Sequence, residues 1–342
     1  MHTPVRVLLL SAVALVLAGV LAAATASDAP PTVAPAPTTT AAVAPPEPPA
    51  TPAPTPAPLP TTPGFPAIPA GEHVRAVRTP NGMLLPAVGA QDGRWQVMTP
   101  CAGVAAVPGR PVHGAHIVLD PGHGGREPGA VGPSGLREAD LNLDIALRVR
   151  DLLRAEGATV VLTRNRDVRI TLATRAAIAR ALEPLAFVSI HHNAAPLGKA
   201  TTPGSELYHQ LDAPGSRRLA GLLWEELQAG LSPFGTDWAV GDQPGARARR
   251  SARTGDDYYG VLRQAEDVTA VLTEAAFLTN PAEDALLRTE EFRHAEAQAI
   301  ATAILRFVRT SDPGSGFVPT KEVSTPAGGG GGSTGCVDPP LT

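Results

Sequence analysis

Apolar residues follow two rhythms along this chain. Short continuous runs, "HIVLD" (His116–Asp120), "TVVLTR" (Thr159–Arg164), "LAFVSIHHN" (Leu185–Asn193) and "VTAVLTE" (Val268–Glu274), read as buried strands, with "GSELYHQ" (Gly204–Gln210) as a further one. Between them the apolar spacing lengthens to three and four. "LNLDIALRVRDLLRAEG" sets Leu141, Ile145, Val149 and Leu152 on one helical face and stops at Gly157. "LATRAAIARAL" (Leu172–Leu182) and "SRRLAGLLWEELQAGL" (Ser216–Leu231) read as helices, as do the stretches near Pro281–Arg288 and Glu291–Arg309. Apolar strands alternating with helices predict an α/β domain over residues 113–310, with a mostly parallel central sheet flanked by helices.

The flanks follow other patterns. Residues 71–112 carry short alternating runs, "VRAVRTPNGMLLPAV" and "GRWQVMTP", with an Asn-Gly hairpin signal; they predict a small β-rich segment packed on the main domain. Residues 1–26 have the form of an export signal: Arg6, an apolar run, then "ATA" at Ala24–Ala26 as a cleavage site. The alternative is an uncleaved anchor, since the run approaches the ~20 residues a spanning helix needs. Residues 27–70 are a Pro/Ala/Thr-rich linker, holding sixteen of the chain's 37 prolines. At ~3.1 Å per residue such a spacer reaches on the order of 100 Å. Residues 311–342, with "GGGGGSTG", are expected to be a flexible tail. A long loop, Ser232–Asp257, carries Arg247, Arg249, Arg250 and Arg253 and reads either as a solvated insertion or as a rim for an anionic polymer.

The 342 residues carry a net charge of −4, so no basic footprint for nucleic acid is present. With the signal cleaved, no permanent membrane span is expected, and the protein is expected to be secreted, wall-associated and monomeric. Export implies an oxidising compartment. The two cysteines, Cys101 and Cys336, flank the main domain; they form one bridge or remain two unrelated thiols.

Ligands of open α/β sheets bind beyond the carboxyl ends of the strands. His123 follows "HIVLD", His191 ends "FVSI", Glu274 ends "VTAVLT", and Glu138 sits just before the first long helix. Each has an ordinary counterpart. A histidine after a strand is commonly a satisfied surface residue, and His192 is expected to be one. Glu138 is a helix-start acid favoured by the dipole. Glu274 is harder to dismiss, because an unpaired carboxylate buried within "AVLTEAAFL" is costly. Two imidazoles and a carboxylate suit zinc, leaving a fourth position open to water, with Glu274 as general base. No HExxH or CxxC is present.

The ordered set "VLDPGHGGREPGA", "GLREADLNLDIA", "VVLTRNRD", "LATRAAIA", "FVSIHHNAA" and "VLTEAAFLTNPAEDALL" resembles the zinc-dependent N-acetylmuramoyl-L-alanine amidase family, of the amidase-3 type, over His116–Val308. The resemblance implies a six-stranded, mostly parallel sheet. It implies peptidoglycan as substrate, cut between N-acetylmuramic acid and L-alanine of the stem peptide. Zn2+ would be held by His123, Glu138 and His191, with Glu274 catalytic. Asp120, Asn193 and Arg175 also match, as groups that orient ligands or substrate; for Arg175 a structural role is equally expected. His192 departs from the pattern, where relatives carry a small residue, and is expected to add an imidazole beside the metal. Ala275–Ala276 replace a more usual Gly before Phe277. Two other readings stay open: a zinc peptidase acting within stem peptides, and a wall-binding regulator without catalysis.

Overall fold

The computed structural model describes residues 64–68, 73–195, 204–235, 245–325 and 332–342. The expected export signal and nearly all of the Pro/Ala/Thr-rich linker lie outside these residues.

Two sheets organise the chain. The first is five-stranded and antiparallel, in the order β4-β3-β2-β1-β5. It is built from β1 (Ala76–Arg78), β2 (Leu84–Gln91), β3 (Arg94–Met98), β4 (Val104–Val107) and β5 (Arg110–Val112). Its first hairpin closes at the Asn-Gly pair, where Gly82 takes φ 86. Val77, Met83, Leu85, Val97 and Val107 form its small core, while Ala76 and Leu84 join the main domain's apolar layer.

The second sheet carries the main domain. Its elements are β6 (Ile117–Pro121), α1 (Glu138–Ala155), β7 (Val160–Leu162), α2 (Leu172–Leu182), β8 (Ala186–Asn193), β9 (Glu206–His209), α3 (Pro214–Leu231), β10 (Gly245–Arg247), β11 (Arg249–Ser251), α4 (Gly260–Gln264), β12 (Ala270–Phe277), α5 (Pro281–Leu287) and α6 (Glu290–Arg309). The six strands lie in the order β10-β9-β12-β8-β6-β7. Strand residues of alternating parity face two separate apolar layers, as the pleat requires. Ile117, Leu119, Val188, Ile190 and Val271 pack with α1, α3 and α6; Val118, Phe187, Tyr208 and Leu272 pack with α2 and α4.

The sheet is mixed: four of its five strand pairings are parallel, as expected, and one is antiparallel. β7, β6, β8 and β12 run together, but β9 pairs antiparallel with β12, and β10 follows β9 in parallel. The cause is local. Asn193 at the end of β8 donates from Nδ2 to Glu206 Oε2 at the start of β9, at 2.5 Å. β9 thus starts at the rim where β8 ends and runs back along β12.

The Arg-rich loop also differs from a solvated insertion in its described part. Residues 245–251 form β10 on the sheet edge and β11 beside it; 236–244 lie outside the described residues. The C-terminal segment, expected as a flexible tail, is tied down where it is described. β13 (Lys321–Val323) pairs with β11, Arg217 stacks over Phe317 at 3.6 Å, and Cys336 forms a disulfide with Cys101. Among the described residues no helix is long and apolar enough to cross a membrane.

Candidate active site

β8 and β12 end, and β9 begins, on one rim. His191 on β8, Glu274 on β12 and Glu206 on β9 are successive register partners, so their side chains share one face. His123 reaches the same place from the turn after β6. Its φ is 60, a left-handed conformation that costs an L-residue roughly 1–2 kcal/mol. The surroundings hold it there: Arg175 donates from one guanidinium nitrogen to the His123 carbonyl at 2.6 Å and from another to the Pro121 carbonyl at 2.7 Å. Gly122 and Gly129 complete the turn. A Cβ on the first would collide with the His191 ring, and on the second with the Glu138 carboxylate.

Glu138, the first residue of α1, closes the group. Its Oε1 lies 3.0 Å from His191 Nδ1 and 3.2 Å from His123 Nε2, and its Oε2 accepts from the Ala130 N–H at 2.8 Å. One ligand atom from each of His123, Glu138 and His191 falls within 4.8 Å of the others. That spacing and donor set fit a single divalent ion with nitrogen and oxygen preference. Burial alone would raise the Glu138 carboxyl; hydrogen bonds from the two imidazoles outweigh it and hold the group well below the usual range. For His191, burial favours the neutral ring that a metal requires, against the pull of Glu138.

Glu274 stands opposite in character. It is half-buried, and its Oε2 is inaccessible, with no hydrogen-bond partner among the described residues. Burial, then repulsion from Glu138 and Glu206, pushes its carboxyl well above the ordinary value, with Arg249 acting the other way. Two carboxylates of one rim are thus driven apart in acidity, the arrangement by which a site separates a fixed anion from a proton carrier.

The remaining expected residues divide by role. Asp120 is buried and does not reach the cluster. It accepts from Thr163 Oγ1 at 2.5 Å, Arg175 at 2.6 Å and Ser189 Oγ at 2.7 Å, so with Arg175 it braces the His123 turn from below. Asn193 reaches Glu206, a residue the sequence reading did not single out. Glu206 Oε2 also accepts from Tyr208 OH at 2.5 Å, and Arg249 stands 3.5 Å away, stacked over the Tyr208 ring at 4.4 Å. Arg164 was also missed. It is buried and donates to the carbonyls of Pro121, Gly122 and Ala139, joining the turn to the first turn of α1. Burial without a carboxylate partner in contact lowers its pKa to about 10. Its position at the end of "VVLTR" was the one available signal.

His192 corrects two expectations. Its imidazole is neither on the surface nor beside the candidate ligands: the residue is 1% exposed and the ring bonds to Asn142 and Glu296. The reason is the strand period, which sends residue 192 to the face opposite residue 191. A separate cavity of about 530 Å³, lined by Gln210, Ser216, Asp257 and Thr269 among others, opens past the end of β9 and before the start of β12, at the rim of the sheet away from this cluster.

Comparison with known proteins adds an independent line. Residues 117–306 match the family described as N-acetylmuramoyl-L-alanine amidase. The N-acetylmuramoyl-L-alanine amidase AmiC of Neisseria meningitidis serogroup B is 35% identical over 235 residues, covering 60% of this chain and 56% of that protein. The uncharacterized protein YqiI of Bacillus subtilis is 35% identical over 209 residues, covering 60% of this chain and 89% of the relative. Among solved structures, Cwp6 from Clostridium difficile is 29% identical with a TM-score of 0.51, over 57% of this chain and 30% of that one. The chain thus spans just over half the length of the Neisseria relative.

Proposed function

Because the chain belongs to the N-acetylmuramoyl-L-alanine amidase family, we propose that it hydrolyses the amide between the lactyl group of N-acetylmuramic acid and L-alanine of the peptidoglycan stem peptide. The observation that carries this reading is the convergence of His123, Glu138 and His191 within 4.8 Å, next to a half-buried glutamate whose carboxyl is driven up.

In this reading His123, Glu138 and His191 would hold a zinc ion. When bound, zinc supplies Lewis-acid chemistry, polarising an amide carbonyl and acidifying water. The protein does the rest. The Asp120–Arg175 pair and Arg164 fix the turn that aims His123. The Ala130 N–H and the N-terminus of α1 favour an ionised Glu138. Glu274 takes a proton from the attacking water and returns it to the departing alanine nitrogen as the carbon–nitrogen bond breaks. Its raised pKa moves the carboxyl toward the operating pH, where one group both accepts and returns a proton.

The export signal at 1–26 and the linker at 27–70 support action outside the membrane, on the wall, with residues 113–310 as the catalytic domain. The test is a digest of purified muropeptides read by mass spectrometry, with and without a chelator, and with zinc restored afterwards. Free lactyl groups and stem peptides beginning with L-alanine are expected, lost on chelation and regained with zinc. New termini inside the peptide would identify a peptidase instead, and wild-type digestion without metal would overturn the mechanism.

A further inference from the structure

The imidazole of His192 is shut inside the protein, between the sheet and the layer of α1 and α6. Its Nε2 lies 3.1 and 3.2 Å from the two carboxylate oxygens of Glu296 on α6. Its Nδ1 lies 2.8 Å from Oδ1 of Asn142 on α1. Asn142 donates in turn from Nδ2 to Glu138 Oε1 and to the Gly122 carbonyl, both at 3.3 Å. The backbone N–H of His192 reaches the same Glu138 oxygen at 3.2 Å. Asn142 and Glu296 are 0% exposed and His192 1%.

The direction of these bonds follows from the chemistry of the groups. Both neighbours of the Asn142 amino group, a carboxylate and a carbonyl, accept only. The amide oxygen is therefore the end that meets His192, and it also accepts only, so Nδ1 of His192 carries the hydrogen. The bonds form a one-way series from His192 through Asn142 to Glu138, anchored at its start by Glu296. Three polar side chains in an apolar layer cost stability relative to well-packed apolar residues of similar size. Within the series, Glu138 is the group that also meets His123 and His191.

We propose that His192 is a positioning residue: held by Glu296, it fixes Glu138 through Asn142 in the orientation that binds the metal. The proposal rests on the zinc reading above. A free glutamate side chain loses rotamer freedom on ligating an ion; here much of that freedom is removed in advance, and partners of this kind are worth about 10–100-fold in metal affinity.

The test is zinc affinity, measured on the full chain by competition with a chromophoric chelator, with thermal unfolding as the control for folding. His192→Gln keeps a polar group toward Glu296 but removes the donor to Asn142. His192→Asn keeps a donor near the Nδ1 position. The Gln variant is expected to bind zinc about 10–100-fold more weakly, the Asn variant within about threefold of wild type, and Asn142→Ala to behave as the Gln variant. Equal weakening in both His192 variants would reduce the residue to packing and overturn the proposal. So would unchanged affinity in folded His192→Gln, while leaving the zinc reading intact. Should the substitutions prevent folding, the wild type still decides. A protected Nδ1 proton of His192 is expected by NMR, shifting when zinc is added, and its absence or indifference to zinc would overturn the proposal. A wild type that binds no zinc would overturn the function itself and this inference with it, a distinguishable result.

Discussion

Glu138 and Glu274 are the same residue type within one cluster, and their surroundings assign them different work. Glu138 meets two imidazoles and an N–H and stays ionised; Glu274, with its inner oxygen buried, faces two other carboxylates and holds its proton longer. Glu274→Gln is therefore expected to lower kcat about 10²–10⁴-fold while leaving zinc content unchanged, as measured by turnover and metal analysis on the same sample. A variant that matches wild type would remove Glu274 from the chemistry and revive a regulator without catalysis. His123, His191, Glu138 and Glu274 were legible in the sequence because each sits at the carboxyl end of an apolar run or at the start of the helix that follows one. Glu206, Arg164 and the His192–Glu296 pair were not. Their partners come from elements whose adjacency depends on sheet order and helix packing, and a lone Glu or Arg in a periodic run gives no sign of either. His192 shows the limit at single-residue scale: being next to His191 in sequence placed it on the opposite side of the sheet.

At the scale of elements, the continuous apolar strands and the long helices were legible, because burial on both faces and a 3.6-residue period leave clear marks. The direction of β9 and the strands β10, β11 and β13 were not. Three-residue strands rich in arginine or lysine carry no period, and strand direction depends on where a connection returns. One side chain links several of these elements. Glu283, in the first turn of α5, accepts from the Gly204 N–H before β9 at 3.0 Å and from the Phe277 N–H at the end of β12. Burial, opposed by those two N–H groups, pushes its carboxyl from 4.5 up to about 8. Between these two values the folded chain keeps a proton that the unfolded chain releases, so stability falls as pH rises through this window and levels off above it. The contribution is on the order of a few kcal/mol at most. Thermal midpoints taken from pH 5 to pH 8 are expected to decline, and Glu283→Gln to flatten that decline; an unaltered slope in the variant would show that Glu283 is ionised throughout.

At the scale of the molecule, the chain is closed by contacts between its distant parts. Cys101, after β3, is bonded to Cys336, 235 residues later, and Asp338 accepts from the Cys101 N–H at 2.8 Å. Asn81 and Arg169 hold the same segment through the carbonyls of Pro340, Gly332 and Thr334. A bridge closing so long a loop restricts the unfolded chain strongly. Cys336→Ser is expected to cost on the order of 3–5 kcal/mol in denaturant unfolding, whereas a loss below about 1 kcal/mol would mean the remaining contacts suffice to hold the C-terminal segment. The cysteines could be counted in the sequence, but their distance could not, since it depends on how the small sheet and the tail both lie against the main domain. All of this scaffolding serves one arrangement, and diffraction at the zinc absorption edge from crystals of the zinc-loaded protein tests it most directly. A single anomalous peak bonded to His123, Glu138 and His191, with Glu274 beside it, is the predicted result; a peak held by other residues, or none at this cluster in protein that still cleaves muropeptides, would contradict it.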